Sequence, residues 1–167
     1  STSKEITYGD SITLKASMTS GTPQTVTWKS SNTAVATVKN GIVTATGKGT
    51  AKITASLPNG RSAVCTVKVT TKKLPTSGYS YASTAQYTGS AIIPTVTVKD
   101  GSKVLSQNID YRVIVTNNVK IGHANIAISG MGNYYGSYSA GFDIIPAKQT
   151  IQKLETRYKG FFVDWAQ

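Results

Sequence analysis

The chain has 167 residues and a formal net charge of +11, yet charged residues make up only 15% of it. Against a usual ~25%, that leaves few side chains for acid–base chemistry. The 24 Thr, 18 Ser and 28 Val plus Ile, beside 7 Leu plus Met, nearly exclude an all-helical fold.

Short period-two runs separated by Gly, Asn, Asp or Pro predict seven strands in the first seventy residues: Ile6 to Tyr8, Ser11 to Met18, Thr25 to Ser30, Ala34 to Lys39, Ile42 to Ala45, Gly49 to Ser56 and Ala63 to Thr70. Asn40-Gly41 fits a two-residue type I′ turn, which needs positive φ at both positions. Pro58-Asn59-Gly60 does the same for the next pair. So many short strands read as a sandwich. Trp28 lies on an alternating strand and is expected to fill the space between two sheets, while Gly47 and Gly49 permit a tight bend. Cys65 falls on the face of Ala63, Val67 and Val69 and is expected to be a buried, inert thiol; one cysteine makes no internal disulfide.

Alternation stops over residues 71–78, where Leu74-Pro75-Thr76-Ser77-Gly78 and two lysines read as a linker. It resumes in residues 79–146 with Tyr87 to Ala91, Thr95 to Lys99, Lys103 to Ser106, Tyr111 to Thr116, Ala124 to Ser129 and Ser137 to Ile144, a second small β unit. In residues 147–167, Ile151, Leu154, Phe161, Val163 and Trp165 form a short apolar pattern that cannot bury a core alone. No apolar run approaches the ~20 residues that span a bilayer, and no basic-then-apolar leader opens the chain. The chain opens at Ser1 and reads as a piece of a longer protein.

The run Val26-Thr27-Trp28-Lys29-Ser30-Ser31-Asn32-Thr33-Ala34-Val35-Ala36-Thr37-Val38, then Asn40-Gly41-Ile42-Val43-Thr44-Ala45 and Gly47-Lys48-Gly49-Thr50-Ala51-Lys52-Ile53-Thr54-Ala55, resembles the group 2 bacterial immunoglobulin-like (Big) domain over residues 3–70. Tyr87-Thr88-Gly89-Ser90, Val96-Thr97-Val98-Lys99-Asp100-Gly101, Asp110-Tyr111-Arg112-Val113 and Gly130-Met131-Gly132-Asn133-Tyr134 resemble a bacterial Ig-like repeat of the MBG-like kind. Thr150 to Trp165 is similar to the opening two strands of a fibronectin type III module. These resemblances imply an all-β tandem of immunoglobulin-like β-sandwiches: residues 1–70, a linker over 71–78, a second unit over 79–146 and a truncated third over 147–167. They imply a secreted or cell-surface bacterial protein, Gram-positive by the company such domains keep, in which this stretch is a non-catalytic monomeric spacer and adhesion module. The partners implied are a cell-wall polymer, a glycan or a host surface protein.

Catalytic constellations are scarce. His123, the single histidine, is expected at a loop-to-strand junction, and catalysis there, which would need a nucleophile and an orienting acid beside it, is not expected. One His and one Cys in different units do not make a zinc site, and the seven acids, Glu5, Asp10, Asp100, Asp110, Asp143, Glu155 and Asp164, sit mostly at turns and strand ends rather than facing in pairs or lining a calcium loop. No catalytic residue, metal ligand or cofactor is therefore expected, nor can a Lys–Asn pair with a carboxylate be picked out for an isopeptide cross-link. Tyr134, Tyr135 and Tyr138, flanked by glycines, are the candidate binding residues, a stacking surface for a sugar ring; a carbohydrate- or wall-polymer-binding module is the alternative function. The charge divides as +6 over 1–70, +3 over 71–146 and +2 over 147–167. Lys15, Lys29, Lys39, Lys52 and Lys68 fall mostly on outward strand positions without interleaved aromatics, so no nucleic-acid site is expected.

Overall fold

The structure is a computed structural model that describes residues 2–18 and 24–148, together with the backbone of 151–157 and 160–165. Every regular element among the described residues is a strand, giving an all-β fold of immunoglobulin-like character.

The amino-terminal unit contains β1 (Thr2–Thr7), β2 (Ser11–Thr13), β3 (Thr27–Ser30), β4 (Ala36–Lys39), β5 (Ile42–Ala45), β6 (Gly49–Ser56) and β7 (Ser62–Thr70). They form one sheet in the order β1-β7-β6-β3 and a second in the order β2-β5-β4. The period-two alternation aims Ile6, Ala51, Ile53, Cys65, Val67 and Val69 from the first sheet and Ala36, Val43 and Ala45 from the second into one apolar core. Each fully buried Val or Ile contributes about 1.5–3 kcal/mol to holding the sheets together. The β4–β5 hairpin closes as expected, with Asn40 at φ 49° and Gly41 at φ 82°. Close packing also requires glycine at position 41, since a Cβ there would stand 2.5 Å from the Leu14 carbonyl and 3.2 Å from the Trp28 ring. Trp28 packs over that glycine and is half-buried, so it closes the edge of the core rather than occupying its centre. A Cβ on Gly47 would run into the Ala34 carbonyl, which explains the glycine at that bend.

The second unit contains β8 (Lys72–Lys73), β9 (Tyr79–Ser80), β10 (Thr84–Gln86), β11 (Thr97–Asp100), β12 (Lys103–Val104), β13 (Tyr111–Thr116), β14 (Gly122–Gly130), β15 (Tyr134–Tyr135) and β16 (Ser137–Ile145). Sheets run β10-β16-β14-β13 and β12-β11-β9, with β15 paired to β8. Its core gathers Leu74, Val96, Val98, Leu105, Tyr111, Ala124, Ile126, Ile128, Tyr134, Phe142 and Ile144. In both units the first strand of the four-stranded sheet runs parallel to the last, β1 to β7 and β10 to β16.

Several segments differ from expectation: the first strand runs over Thr2–Thr7 rather than Ile6 to Tyr8, and β2 ends at Thr13 rather than Met18. Tyr87 to Ala91 is not a strand: Gly89 has φ 79°, and the Ser90 N–H donates to the Thr88 hydroxyl, a turn that takes this stretch out of the sheet. The parallel edge is made instead by Thr84–Gln86 just before it. Within 71–78, Lys72–Lys73 pair with Tyr134–Tyr135 and Leu74 is buried in the second core, so this stretch is knitted into the unit that follows it. Farther on, β17 (Ile151–Arg157) and β18 (Gly160–Trp165) pair antiparallel, matching two strands in the carboxyl-terminal stretch; the side chains of Phe161, Phe162 and Trp165 lie outside the described residues.

Candidate functional site

The most elaborate cluster of side chains lies where the two units meet. Tyr8, one residue beyond β1, packs against both hydrophobic cores. Its ring meets Tyr134 edge to face, with centroids 5.5 Å apart and planes at 81°, the arrangement favoured by the aromatic quadrupole. Lys103, on the β11–β12 hairpin, donates to the Tyr8 hydroxyl at 2.8 Å. Behind this, Tyr134 donates to Asp100 at 3.0 Å, and the Lys72 ammonium spans both oxygens of the same carboxylate at 2.9 and 2.7 Å. A separate tie joins the Lys48 N–H of the first unit to the Asn133 amide oxygen of the second, at 2.8 Å. The Asn133 carbonyl in turn accepts from the Lys72 N–H, and the Tyr135 carbonyl from the Leu74 N–H.

Hydrogen bonding and burial shift three of these groups. The Lys72 hydrogen bonds hold the Asp100 carboxyl below the usual carboxylate range; burial opposes them and the Tyr134 hydroxyl assists. Burial, with the Asp100 bond behind it, pushes the Tyr134 phenol well above the usual tyrosine range. The Tyr8 hydroxyl, against the opposing effect of burial, keeps Lys103 above the usual lysine range. Asp100, Lys72, Lys103, Tyr8 and Tyr134 are each bonded to another group of the cluster, and the Lys103–Tyr8 bond crosses between the two units.

The three tyrosines that stand out in the sequence do not form one face. Tyr134 is 3% exposed and belongs to the core, whereas Tyr135 is 51% exposed. Tyr138 is half-buried and stacks on Tyr79 at 4.2 Å with planes 7° apart. Tyr79 donates to the Pro75 carbonyl, and burial raises its phenol with Tyr138 adding to the effect. His123 lies on β14 itself rather than at a junction, because pairing with β16 continues to Gly122. Its Nδ1 stands 2.8 Å from the Asp143 carboxylate directly across the sheet, and both groups are more than 60% exposed. Its ring lies over Gly141, where a Cβ would collide with it. The shallow concavity beside it is lined by Asn117 to His123, with no Ser, Thr or Cys to act as nucleophile. Cys65 is a buried free thiol. No group of three or more His, Cys, Asp or Glu suited to a metal occurs among the described residues, and no helix there is long and apolar enough to cross a membrane.

Of the joint, only Tyr134 stands out in the sequence, through its Gly-Asn-Tyr setting. Tyr8, Lys48, Asp100 and Lys103 sit at strand ends and turns and are brought together by long-range packing, for which no local pattern exists.

Comparison with known proteins agrees with this architecture. A family model described as the intimin immunoglobulin-like domain matches residues 11–58. A stretch of 48 residues is 58% identical to part of the lacto-N-biosidase of Bifidobacterium bifidum, covering 28% of this chain and 4% of that protein. The family match contains β2 to β6, including the Trp28 strand and the Asn40-Gly41 hairpin. Together, the two packed sheets and the family match over residues 11–58 support a bacterial immunoglobulin-like domain in the first sandwich.

Proposed function

We propose that this chain is a non-catalytic spacer and adhesion segment of a larger secreted or cell-surface bacterial protein, with the joint as its working part. The observation that carries this reading is Tyr8, whose ring is shared by both cores while its hydroxyl is held by Lys103. A joint built this way sets the angle between two rigid bodies, so that whatever lies beyond is presented at a defined distance and direction. The second unit then acts as an MBG-like repeat and residues 147–167 as the start of a fibronectin type III module. The match to a short part of a lacto-N-biosidase supports the modular view, since there too the similar stretch is a small fraction of a long chain.

Small-angle scattering with NMR relaxation tests this. The two units should tumble as one body, and Tyr8→Ala with Lys103→Ala should make their rotational diffusion independent. Independent tumbling of the unaltered chain overturns the reading, as does any turnover that is lost on changing His123 or Asp143. Glycan binding, the second reading, has the exposed Tyr135 ring in its favour. Retention on a glycan array that disappears in Tyr135→Ala is its signature.

A further inference from the structure

The outward face of the first unit's four-stranded sheet has an unusual composition. Its positions are Ser3, Glu5 and Thr7 on β1, Ser62, Val64, Thr66, Lys68 and Thr70 on β7, Thr50, Lys52, Thr54 and Ser56 on β6, and Thr27 and Lys29 on β3. Apart from Val64 and Glu5, every one of these is a hydroxyl or a lysine. The register places the three lysines on one line. Lys68 stands opposite Thr50, two residues from Lys52; Lys29 stands opposite Thr54, two residues on from Lys52. Each step moves one strand across and one repeat along, so successive lysines are about 8 Å apart in a straight diagonal. All three are exposed, and threonine hydroxyls flank them at Thr50, Thr54 and Thr66.

Edge protection does not explain this row. Lysine commonly blunts a sheet's outer strands, but Lys52 and Lys68 are on β6 and β7, the two central strands. Solubility would be served equally by acids, and the single acid on this face, Glu5, is engaged with Lys68 at 3.0 Å. The corresponding face of the second unit carries Arg112, His123 and Asp143 among small residues such as Ala127, Ser139 and Gly141, with no comparable line of cations. We infer that the Lys29–Lys52–Lys68 diagonal is a binding track for a linear polyanion with phosphodiester links, of the polyol phosphate class. Charges recurring along a flexible strand meet the ammonium groups in turn, and the polyol hydroxyls meet the threonines. Single-stranded nucleic acid and sulfated sugars fit less well, because the face offers no aromatic ring on which a base or sugar could stack. This track is independent of the spacer role: none of the three ammonium groups is bonded to a residue of the joint, so scattering reports on one and binding on the other.

Titration of the full chain with poly(glycerol phosphate) at 50 and 300 mM salt tests the assignment. Lys29→Gln, Lys52→Gln and Lys68→Gln combined should weaken binding at least tenfold and flatten the log–log salt slope by about two to three. A control of equal charge change at the exposed Lys39, Lys99 and Lys120, each replaced by Gln, should lose less than threefold. Glu5→Gln, which frees Lys68, should tighten binding severalfold, whereas Asp10→Asn, with the same change in net charge, should not. Melting curves verify that all variants are folded. Equal losses in the two triple variants, equal gains in the two acid variants, or no binding by the unaltered chain at 50 mM salt overturns the proposal.

Discussion

In the first sandwich the interior is filled by Val, Ile and Ala with one thiol, and its Trp stays at the edge; in the second, Tyr111, Tyr134 and Phe142 take up the equivalent space. The four-stranded sheets are wired alike, since in each the strand earliest in the chain lies parallel to the last. The filling decides what else the unit is tied to. A buried phenol needs a partner for its hydroxyl: Tyr111 donates to the Val96 carbonyl at 2.7 Å and Tyr134 to Asp100 at 3.0 Å. Through Asp100 and Lys72 the second core is coupled directly to charged groups, while the first core reaches the joint only through the Tyr8 ring packed against it.

That contrast can be broken most forcefully at Tyr134. Replacement by Ala removes a ring that is 3% exposed and should cost about 3–5 kcal/mol, seen by calorimetry as an early transition of the second unit. Tyr134→Phe keeps the ring and loses only the bond to Asp100, and should cost about 1 kcal/mol. The mirror experiment is Gly41→Ala, which forces a Cβ against the Leu14 carbonyl and the Trp28 ring at φ 82°. It should lower the first unit's transition by about 1–3 kcal/mol and spare the second.

Acid sharpens the difference more gently. The Asp100 pKa is depressed in the folded state, so its contribution is complete above the unfolded value near 4 and disappears as pH falls through the folded one. The second unit should lose stability below about pH 4 through this group, and Asp100→Asn should remove that part of the acid dependence in thermal melts. Lys103, with a raised pKa, acts oppositely: its bond to Tyr8 contributes fully below about pH 10 and fades as pH rises through the folded pKa. The smallest effect belongs to His123 and Asp143. Because both are open to solvent, Asp143→Asn should change stability by less than about 0.5 kcal/mol.

Local chemistry made much of the fold legible. Strands such as Ile42–Ala45, Gly49–Ser56 and Tyr111–Thr116 appear with the bounds that alternation dictates, and Asn40-Gly41 adopts the turn its residues require. What escaped was short or cooperative. Thr84–Gln86 and Lys72–Lys73 have too few residues to show a period, and they are strands only because β16 and β15 lie beside them. The joint was illegible for the same reason at larger scale, since Tyr8, Lys103 and Tyr134 meet only after both sandwiches have formed. The lysine diagonal lay between these extremes. Outward alternation identified its members one by one, but only the pairing register put them in line.

The parallel pairs β1–β7 and β10–β16 carry one more implication. In a parallel pair the start of one strand and the finish of the other lie at opposite ends of the ladder, so tension on the two termini runs along the strands. The hydrogen bonds are then loaded in shear, all at once, rather than peeled apart in sequence. The β1–β7 ladder has six paired positions to share that load and the β10–β16 ladder has three. Tension reaches the second sandwich first through β8, whose parallel ladder with β15 has two positions, and then through β10–β16, so this sandwich is the mechanical fuse of the pair, yielding slack before the first gives way.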